Sequence, residues 1–286
     1  MAAQGQMNDI LIIASKEFRD YLKSKRFILV GVLYAVMALA ILGITIMSLN
    51  YMKSMGLMSD FMPSQVLSTM DYLNIILVLL AVIITADTIS AERKDRTIYQ
   101  LLSKPVERST VILGKFIGCL GVVSFFYGAG SIIAYVLTAV VAGVVPSGTD
   151  LLNAAMVIVF MVILFGVYVA LGILISTVTK NPLISILGGI VAWVALYFSN
   201  TIGNLIGYLS LMNGGTIILG DSFAQYPLYA KLLIWIDPIS HDIVSPLLAG
   251  TADKVGMPLW ANVVILLLFT GILLLAADGL FKRQDI

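Results

Sequence analysis

The sequence predicts an all-α polytopic membrane protein with six transmembrane helices, and three observations predict it. First, 60% of the 286 residues are hydrophobic and only 12% are charged, where soluble domains carry roughly 25% charged residues. Second, the apolar residues gather in six runs, and the first, 27–49, is long enough for a hydrocarbon core of ~30 Å at ~1.5 Å per helical residue. Third, the basic residues fall on alternate connections. With both ends and the even-numbered turns on one side, Lys53, Lys231 and Lys254 are the only ones of the 17 basic residues left on the other. Basic loops stay cytoplasmic, so the expectation is a multi-pass protein of the cell membrane with both termini in the cytoplasm. An odd number of spans would destroy that asymmetry. Net charge is +1, which gives no reason to expect a nucleic-acid partner. The single cysteine, Cys119, rules out an internal disulfide and reads as packing. No cleavable leader is expected, because the first apolar run begins only at Phe27, after several charges.

Residues 8–26 read as an amphipathic interfacial helix. Ile10, Ile13, Ala14, Phe18, Tyr21 and Leu22 share one helical face, while Lys16, Arg19, Lys23, Lys25 and Arg26 occupy the rest. Such a helix is expected to lie on an anionic leaflet with its apolar side down. It is either a plain juxtamembrane anchor or a helix that also touches a partner, through residues such as Phe18, Arg19 and Lys23. The first span is expected over 27–49, followed by a polar outer segment, and the second over 72–88. A third helix over 110–145 exceeds what a bilayer needs, so its first turns, with Lys115, are expected to stand in the cytosol. Pro146, Ser147, Gly148 and Asp150 make a turn. The fourth span is expected over 151–178, and Lys180, Asn181 and Pro182 form a tight break. The fifth follows over 183–200. Residues 201–257, with Asp221, Asp237 and Asp242, are too polar to span simply and read as an extracytoplasmic region of short helices. The sixth span is expected over 259–280. All of this forms one transmembrane domain, 1–286.

The most informative stretch is Asp87–Arg108, which opens with the densest charge in the chain: Glu92, Arg93, Lys94, Asp95 and Arg96. Ile98, Leu101 and Leu102 follow at helical spacing and give a short helix one apolar face. Pro105 ends it, because proline lacks an N–H and restricts Lys104 before it. A short amphipathic helix tethered to spans at both ends is placed to pass a push from a soluble partner into the bilayer. The plainer alternative is a basic loop that only sets topology. No ATP-binding loop is present: Gly114-Lys115 is followed by Phe116, not Ser or Thr, and no glycine-rich lead-in precedes it. Any ATP-driven work must then use another subunit.

The layout resembles the permease subunits of ABC transporters of the type-2 exporter class, which includes antibiotic, sodium and copper-site-maturation exporters. The resemblance rests on Asp87, Ile89, Ser90, Glu92, Arg93, Thr97, Leu101, Leu102, Ser103, Pro105, Val106, Arg108, Gly114 and Lys115, and on the closing Phe281-Lys282-Arg283-Gln284-Asp285-Ile286. One departure is Asp95-Arg96 before Thr97, where the family often has glycine. The resemblance implies a homo- or heterodimer of permeases above two copies of an ABC ATPase subunit. This chain would bind no cofactor, with ATP and Mg on the ATPase. Residues 89–108 would be the coupling region, with a coupling helix over 92–102. Glu92, Arg93, Arg96, Thr97, Leu101, Leu102 and Pro105 are then the candidate ATPase-coupling residues. Charged pairs would fix orientation at a polar rim, and Ile98 and Leu101 would supply a buried anchor. The first and fifth spans would face the partner permease, which makes Tyr34, Thr45, Ser185, Trp193, Tyr197 and Asn200 candidates for a substrate path.

Other features have two readings. Met52, Met55, Met58 and Met62 would align on one face of a continued helix. Thioethers suit Cu(I), but a methionine-rich apolar face against lipid or a second subunit is the plainer reading, and no metal site is assigned. His241 lies between Asp237 and Asp242; Asp-Pro at 237–238 reads better as a turn before a helix than as a site. Gly114, Gly118, Gly121, Gly188 and Gly189 permit close helix approach, as core packing or a dimer seam. Asp87 and Asp278 sit near the inner ends of spans, where a charge in hydrocarbon is costly. Three function classes remain: an ATPase-driven permease, more an exporter than an importer; a non-transporting scaffold or mechanotransmitting subunit; and an intramembrane enzyme. The last lacks a second histidine, an H-E-x-x-H motif and paired intramembrane acids.

Overall fold

The structure is a computed structural model, described here for residues 2–56, 62–95, 107–213, 222–249 and 257–283. The described residues form helices joined by turns. That is the arrangement hydrocarbon requires, because a helix satisfies its backbone internally. Helix α1 spans Ala2–Lys23 and α2 Lys25–Ser54. A 3-10 turn at Pro63–Gln65 leads into α3 (Val66–Met70), and a second 3-10 turn leads into α4 (Asn74–Ala86) and α5 (Thr88–Lys94). Then follow α6 (Arg108–Ala142), α7 (Gly148–Val178), α8 (Pro182–Asn213), α9 (Leu228–Trp235), α10 (Val244–Ala249) and α11 (Leu259–Lys282). Among the described residues, six stretches are long and apolar enough to cross a bilayer: 31–54, 74–94, 108–142, 148–178, 182–212 and 259–282.

The six spans are not equivalent. The apolar windows of α4 and α7 are 67% and 61% buried, whereas those of α2, α8 and α11 are 17%, 11% and 11% buried. The two buried helices form the central pillars, and the other three present most of their apolar surface outward, as suits lipid or a second membrane chain. Small residues set the spacing of the pillars. A Cβ on Gly172 of α7 would overlap the Thr85 hydroxyl of α4, and one on Gly189 of α8 would lie 2.7 Å from Val82.

Several boundaries move from their expected places. The N-terminal helix runs over Ala2–Lys23 rather than 8–26, because Ser24 takes an extended conformation (φ −70°, ψ 130°) and separates it from α2. Part of its apolar face meets protein. Ile13 and Ala14 are buried against α6, where a Cβ on Gly114 would stand 2.7 Å from Ile13 Cβ and one on Gly118 2.8 Å from the Ala14 carbonyl oxygen. The two glycines leave a groove in which α1 lies, so their role is packing within this chain. The second span does not end at Thr88: a short irregularity at Asp87 is followed by α5, which carries the helix to Lys94. The first part of the expected coupling helix, Glu92–Lys94, thus belongs to the end of span two.

The helix α6 ends at Ala142 instead of 145, capped by Gly143 in the left-handed region (φ 69°). In α7 the Ser147 hydroxyl accepts from the Asp150 amide at 3.1 Å, so the helix starts at Gly148, ahead of the expected 151. The largest shift is in the fifth span. It was expected to end at Asn200, and α8 continues to Asn213. The polar residues there turn their bonds inward along the helix: Asn204 Nδ2 donates to the Asn200 carbonyl and side-chain oxygens at 3.0 and 2.6 Å, and Thr201 Oγ1 donates to the Tyr197 carbonyl at 3.0 Å. The expected methionine alignment is also corrected. Helix α2 stops at Ser54, Met55 is its C-cap, and Gly56 adopts φ 72°, so Met52 and Met62 do not share a helix; Met58 lies outside the described residues.

Candidate functional site

One end of the bundle carries α1, the last turns of α5, α7 and α11, and the first turns of α6 and α8. At its centre is Lys115, on the second turn of α6, whose side chain is 1% exposed. Its Nζ donates to Glu17 Oε1 of α1 and to Glu92 Oε1 of α5, each at 2.8 Å, and reaches the Thr88 carbonyl at 3.5 Å. Lys16 approaches both carboxylates from the exposed side, at 4.0 and 3.8 Å. Two acids and two bases therefore balance, with one base sealed inside. Lys115 is sealed within the protein because the α6 glycines on either side let α1 come close enough to close over it.

Why these residues meet follows from helix spacing. Glu17 stands three or four residues from Ile13, Ala14 and Tyr21, on the face that packs on α6, and Gly118 sits beneath its Cβ. Tyr21, one turn further, donates to the Ile84 carbonyl at 2.9 Å and lies 2.8 Å from Thr88 Oγ1. Burial pushes the Tyr21 phenol well above its ordinary pKa, with Cys119, Asp87 and Glu17 adding to the rise. Helix α1 is thus tied to the junction of α4 and α5 as well as to α6. Removing one partner of a buried ion pair costs about 3–5 kcal/mol, since it strands the other charge.

Two arginines clamp the flanks of the charged stretch. Arg93 donates to the Thr177 and Thr179 carbonyls at 3.2 and 3.5 Å, at the C-terminus of α7. Arg108 donates to the Phe281 and Lys282 carbonyls, both at 3.0 Å, at the C-terminus of α11, with its guanidinium 6.0 Å from the Phe281 ring centre. A cation at a helix C-terminus satisfies orphan carbonyls and opposes the dipole. Ser176 Oγ accepts from the Ile89 and Ser90 amides at 2.9 and 3.0 Å, which fixes α5 on α7.

Of the residues singled out from the sequence, Glu92 and Arg93 are in this cluster. Arg96, Thr97, Leu101, Leu102 and Pro105, with most of the expected coupling helix, lie outside the described residues. Phe18 packs beside Gly121 and edge-on to Phe125 (6.3 Å), while Arg19 and Lys23 are exposed on α1. The candidate path residues are not gathered on one surface. Tyr34 of α2 is buried against α6, beside Phe126 and Gly130, and Ser185 of α8 is buried against α4, donating to the Ala86 carbonyl. Trp193 stacks on Tyr197 at 6.2 Å, Asn200 donates to Asp237 at 3.1 Å, and Thr45 lies 3.4 Å from Thr69. Glu17 was not selected from the sequence. The signal was there, an acid on the apolar face of an amphipathic helix, but its partners lie 75 and 98 residues further along the chain.

Away from that end the acids bind neutral donors. Asp150 accepts from the Ser64 amide at 3.1 Å and from Tyr135 at 2.8 Å. Asp237 accepts from Tyr168, Asn200 and the Ile239 amide, and its carboxyl is pushed up by burial, which those donors partly offset. It caps a 3-10 turn at Pro238–His241, as the Asp-Pro reading anticipated. His241 is buried with Nδ1 2.9 Å from Asn262 Oδ1 and Nε2 3.0 Å from the Trp235 carbonyl.

Comparison with known proteins agrees with this arrangement of six spans and a charged helical junction. Residues 11–286 match the family described as ABC-2 family transporter protein. A curated relative, the "Probable ABC transporter permease protein NosY" of Stutzerimonas stutzeri, is 30% identical over 112 residues. That match spans 39% of this chain and 39% of the relative. With the family matched over nearly its whole length, the chain belongs to the ABC-2 transporter family and is a multi-pass membrane subunit of an ABC transporter.

Proposed function

We propose that this chain is the permease of an exporter driven by ATP hydrolysis on separate ATPase subunits, inserted in the cell membrane with its charged end and both termini in the cytoplasm. Two ATPase copies would sit beneath a homo- or heterodimer of permeases. ATP and Mg would be held on the ATPase, and this chain would hydrolyse nothing. The observation that carries the reading is the buried cluster of Glu17, Lys115 and Glu92. It joins α1, α5 and α6 at the place where the chain leaves the membrane for 96–106, the segment that carries the rest of the coupling motif. Arg93 before that segment and Arg108 after it hold the ends of α7 and α11. A push on the segment would therefore reach five helices, α1, α5, α6, α7 and α11, through charged contacts. Closure of the ATPase pair would move the junction as a unit and tilt the spans above it.

The test is reconstitution with the ATPase subunits in sealed vesicles, with ATP hydrolysis and flux measured together. Glu92→Gln is expected to leave ATP hydrolysis running while flux per ATP falls about tenfold or more, the size of losing ~1.4 kcal/mol of coupling. Normal flux per ATP in that variant would remove the cluster from the coupling path. Hydrolysis without flux in the unaltered assembly would favour a non-transporting, mechanotransmitting subunit instead.

A further inference from the structure

Beside the outer half of α2 lies a cavity of ≈ 430 Å³ whose lining is uncharged and sets hydrogen-bonding side chains among apolar ones. Thr45, Ser48, Gln65, Ser68 and Thr69 line it, over a floor that includes Leu49, Val66 and Leu248. The protons of three of these hydroxyls are already committed. Thr45 Oγ1 donates to the Ile41 carbonyl at 2.9 Å, Ser68 Oγ to Gln65 at 2.7 Å and Thr69 Oγ1 to Val66 at 2.7 Å. Each of these three keeps its oxygen lone pairs as acceptors, while Ser48 and the Gln65 amide can also donate. A neutral ligand that brings O–H or N–H groups matches both. Neither an anion nor a bare cation finds an opposite charge in the lining to offset its desolvation.

A second cavity, ≈ 290 Å³, lies between α2 and α6 and is almost wholly apolar, with Tyr34, Ala38, Leu42, Met70, Phe126 and Ile133 among its walls. The two are neighbours along the same helices. Leu42 and Thr45 are one turn apart on α2, and Thr69 and Met70 are adjacent on α3, one of each pair lining each cavity. Their combined character is polar toward one membrane surface and apolar toward the middle. Ligand pockets commonly enclose about 300–1,000 Å³.

We propose that these cavities form a binding site for a neutral amphiphile, its hydroxyl- or amide-bearing head among Thr45, Ser48, Gln65, Ser68 and Thr69 and its hydrocarbon part between α2 and α6. The site deepens the exporter reading by naming a substrate class, and rests on it only for the direction of transport. It also gives Thr45 and Tyr34 separate tasks, one lining the head cavity and the other the tail cavity.

The test uses the purified full chain in phosphatidylcholine nanodiscs, without ATP. The probe is a dodecyl maltoside carrying a photoactivatable diazirine on its chain, with labelled peptides located by mass spectrometry. Labelling is expected within 34–42 and 126–134, the walls of the tail cavity, displaced by plain dodecyl maltoside and at least about tenfold less well by dodecyl trimethylammonium or dodecyl sulfate. Combining Gln65→Leu, Ser68→Ala and Thr69→Val is expected to weaken the maltoside by about tenfold, through loss of one or two net hydrogen bonds of ~1 kcal/mol each. Equal competition by the charged detergents, or labelling spread evenly over the lipid-facing helices, overturns the site on the unaltered protein, whatever the variant does. Labelling as expected with no ATP-driven flux would overturn only the exporter reading. Flux without such labelling would overturn only this site.

Discussion

The charged end of the bundle and the rest of it use charge in opposite ways. At the charged end, cations meet carboxylates and helix carbonyls: Lys115 on Glu17 and Glu92, Arg93 on the end of α7, Arg108 on the end of α11. Away from it, carboxylates meet neutral donors: Asp150 on an amide and a phenol, Asp237 on a phenol, an amide side chain and a backbone N–H. The difference is one of replaceability. A carboxylate that accepts from fixed N–H groups locks a turn in one geometry, as N-caps do. A lysine shared between two carboxylates on two other helices can keep one contact while the other lengthens. The first suits a rigid outer frame, the second a junction that transmits movement.

That comparison can be broken most directly at Lys115. Lys115→Ala should destabilise the purified protein by about 3–5 kcal/mol, because two carboxylates then face each other without their buried counter-charge. Thermal unfolding in detergent measures it. Combining Lys115→Met with Glu17→Gln and Glu92→Gln should recover most of the loss in stability but not the coupling to ATP hydrolysis. Full recovery of transport as well would mean that the cluster is only cement.

Asp150→Ala sharpens the contrast at the other end. It should cost about 1.5–3 kcal/mol, the range for hydrogen bonds to a charged group. Faster hydrogen exchange should be confined to the 62–66 turn and the start of α7, with flux per ATP unchanged. A coupling defect there would show that the frame, too, carries the movement. The smallest effect is expected from Lys16→Ala. Lys16 is 55% exposed and its contacts are 3.8–4.0 Å long, and exposed pairs contribute about 0–1 kcal/mol. A double-mutant cycle with Glu92→Gln should give near-additive changes, whereas the same cycle with Lys115 should not.

The fold was largely legible because lipid removes alternatives. A run of apolar residues in hydrocarbon has only the helix in which to satisfy its backbone, so the six spans and the break at 180–182 could be read from residue order. Where the chain grew polar, the reading stopped early: α8 passes Asn200 because Thr201 and Asn204 bond to the preceding turn, a choice invisible to average hydropathy. Of the candidate site, Glu92, Arg93, Arg108 and Lys115 stood out through motif and charge. Glu17 did not, since nothing in residue order relates an acid on the N-terminal helix to a lysine on the third span.

Residue order alone determined that this chain is a six-span, all-helical membrane protein with most of its basic residues at its two ends and in its even-numbered turns, because apolar length and charge bias are local properties that lipid and water sort independently of partners. Only the tertiary structure decided that α1 rests in the Gly114–Gly118 groove, that Lys115 is sealed between two acids, and that α4 and α7 are the pillars while α2, α8 and α11 face outward. Those outcomes depend on which helices can approach within a few ångströms. That is fixed by small residues on one helix meeting the right side chains on another, far away in sequence.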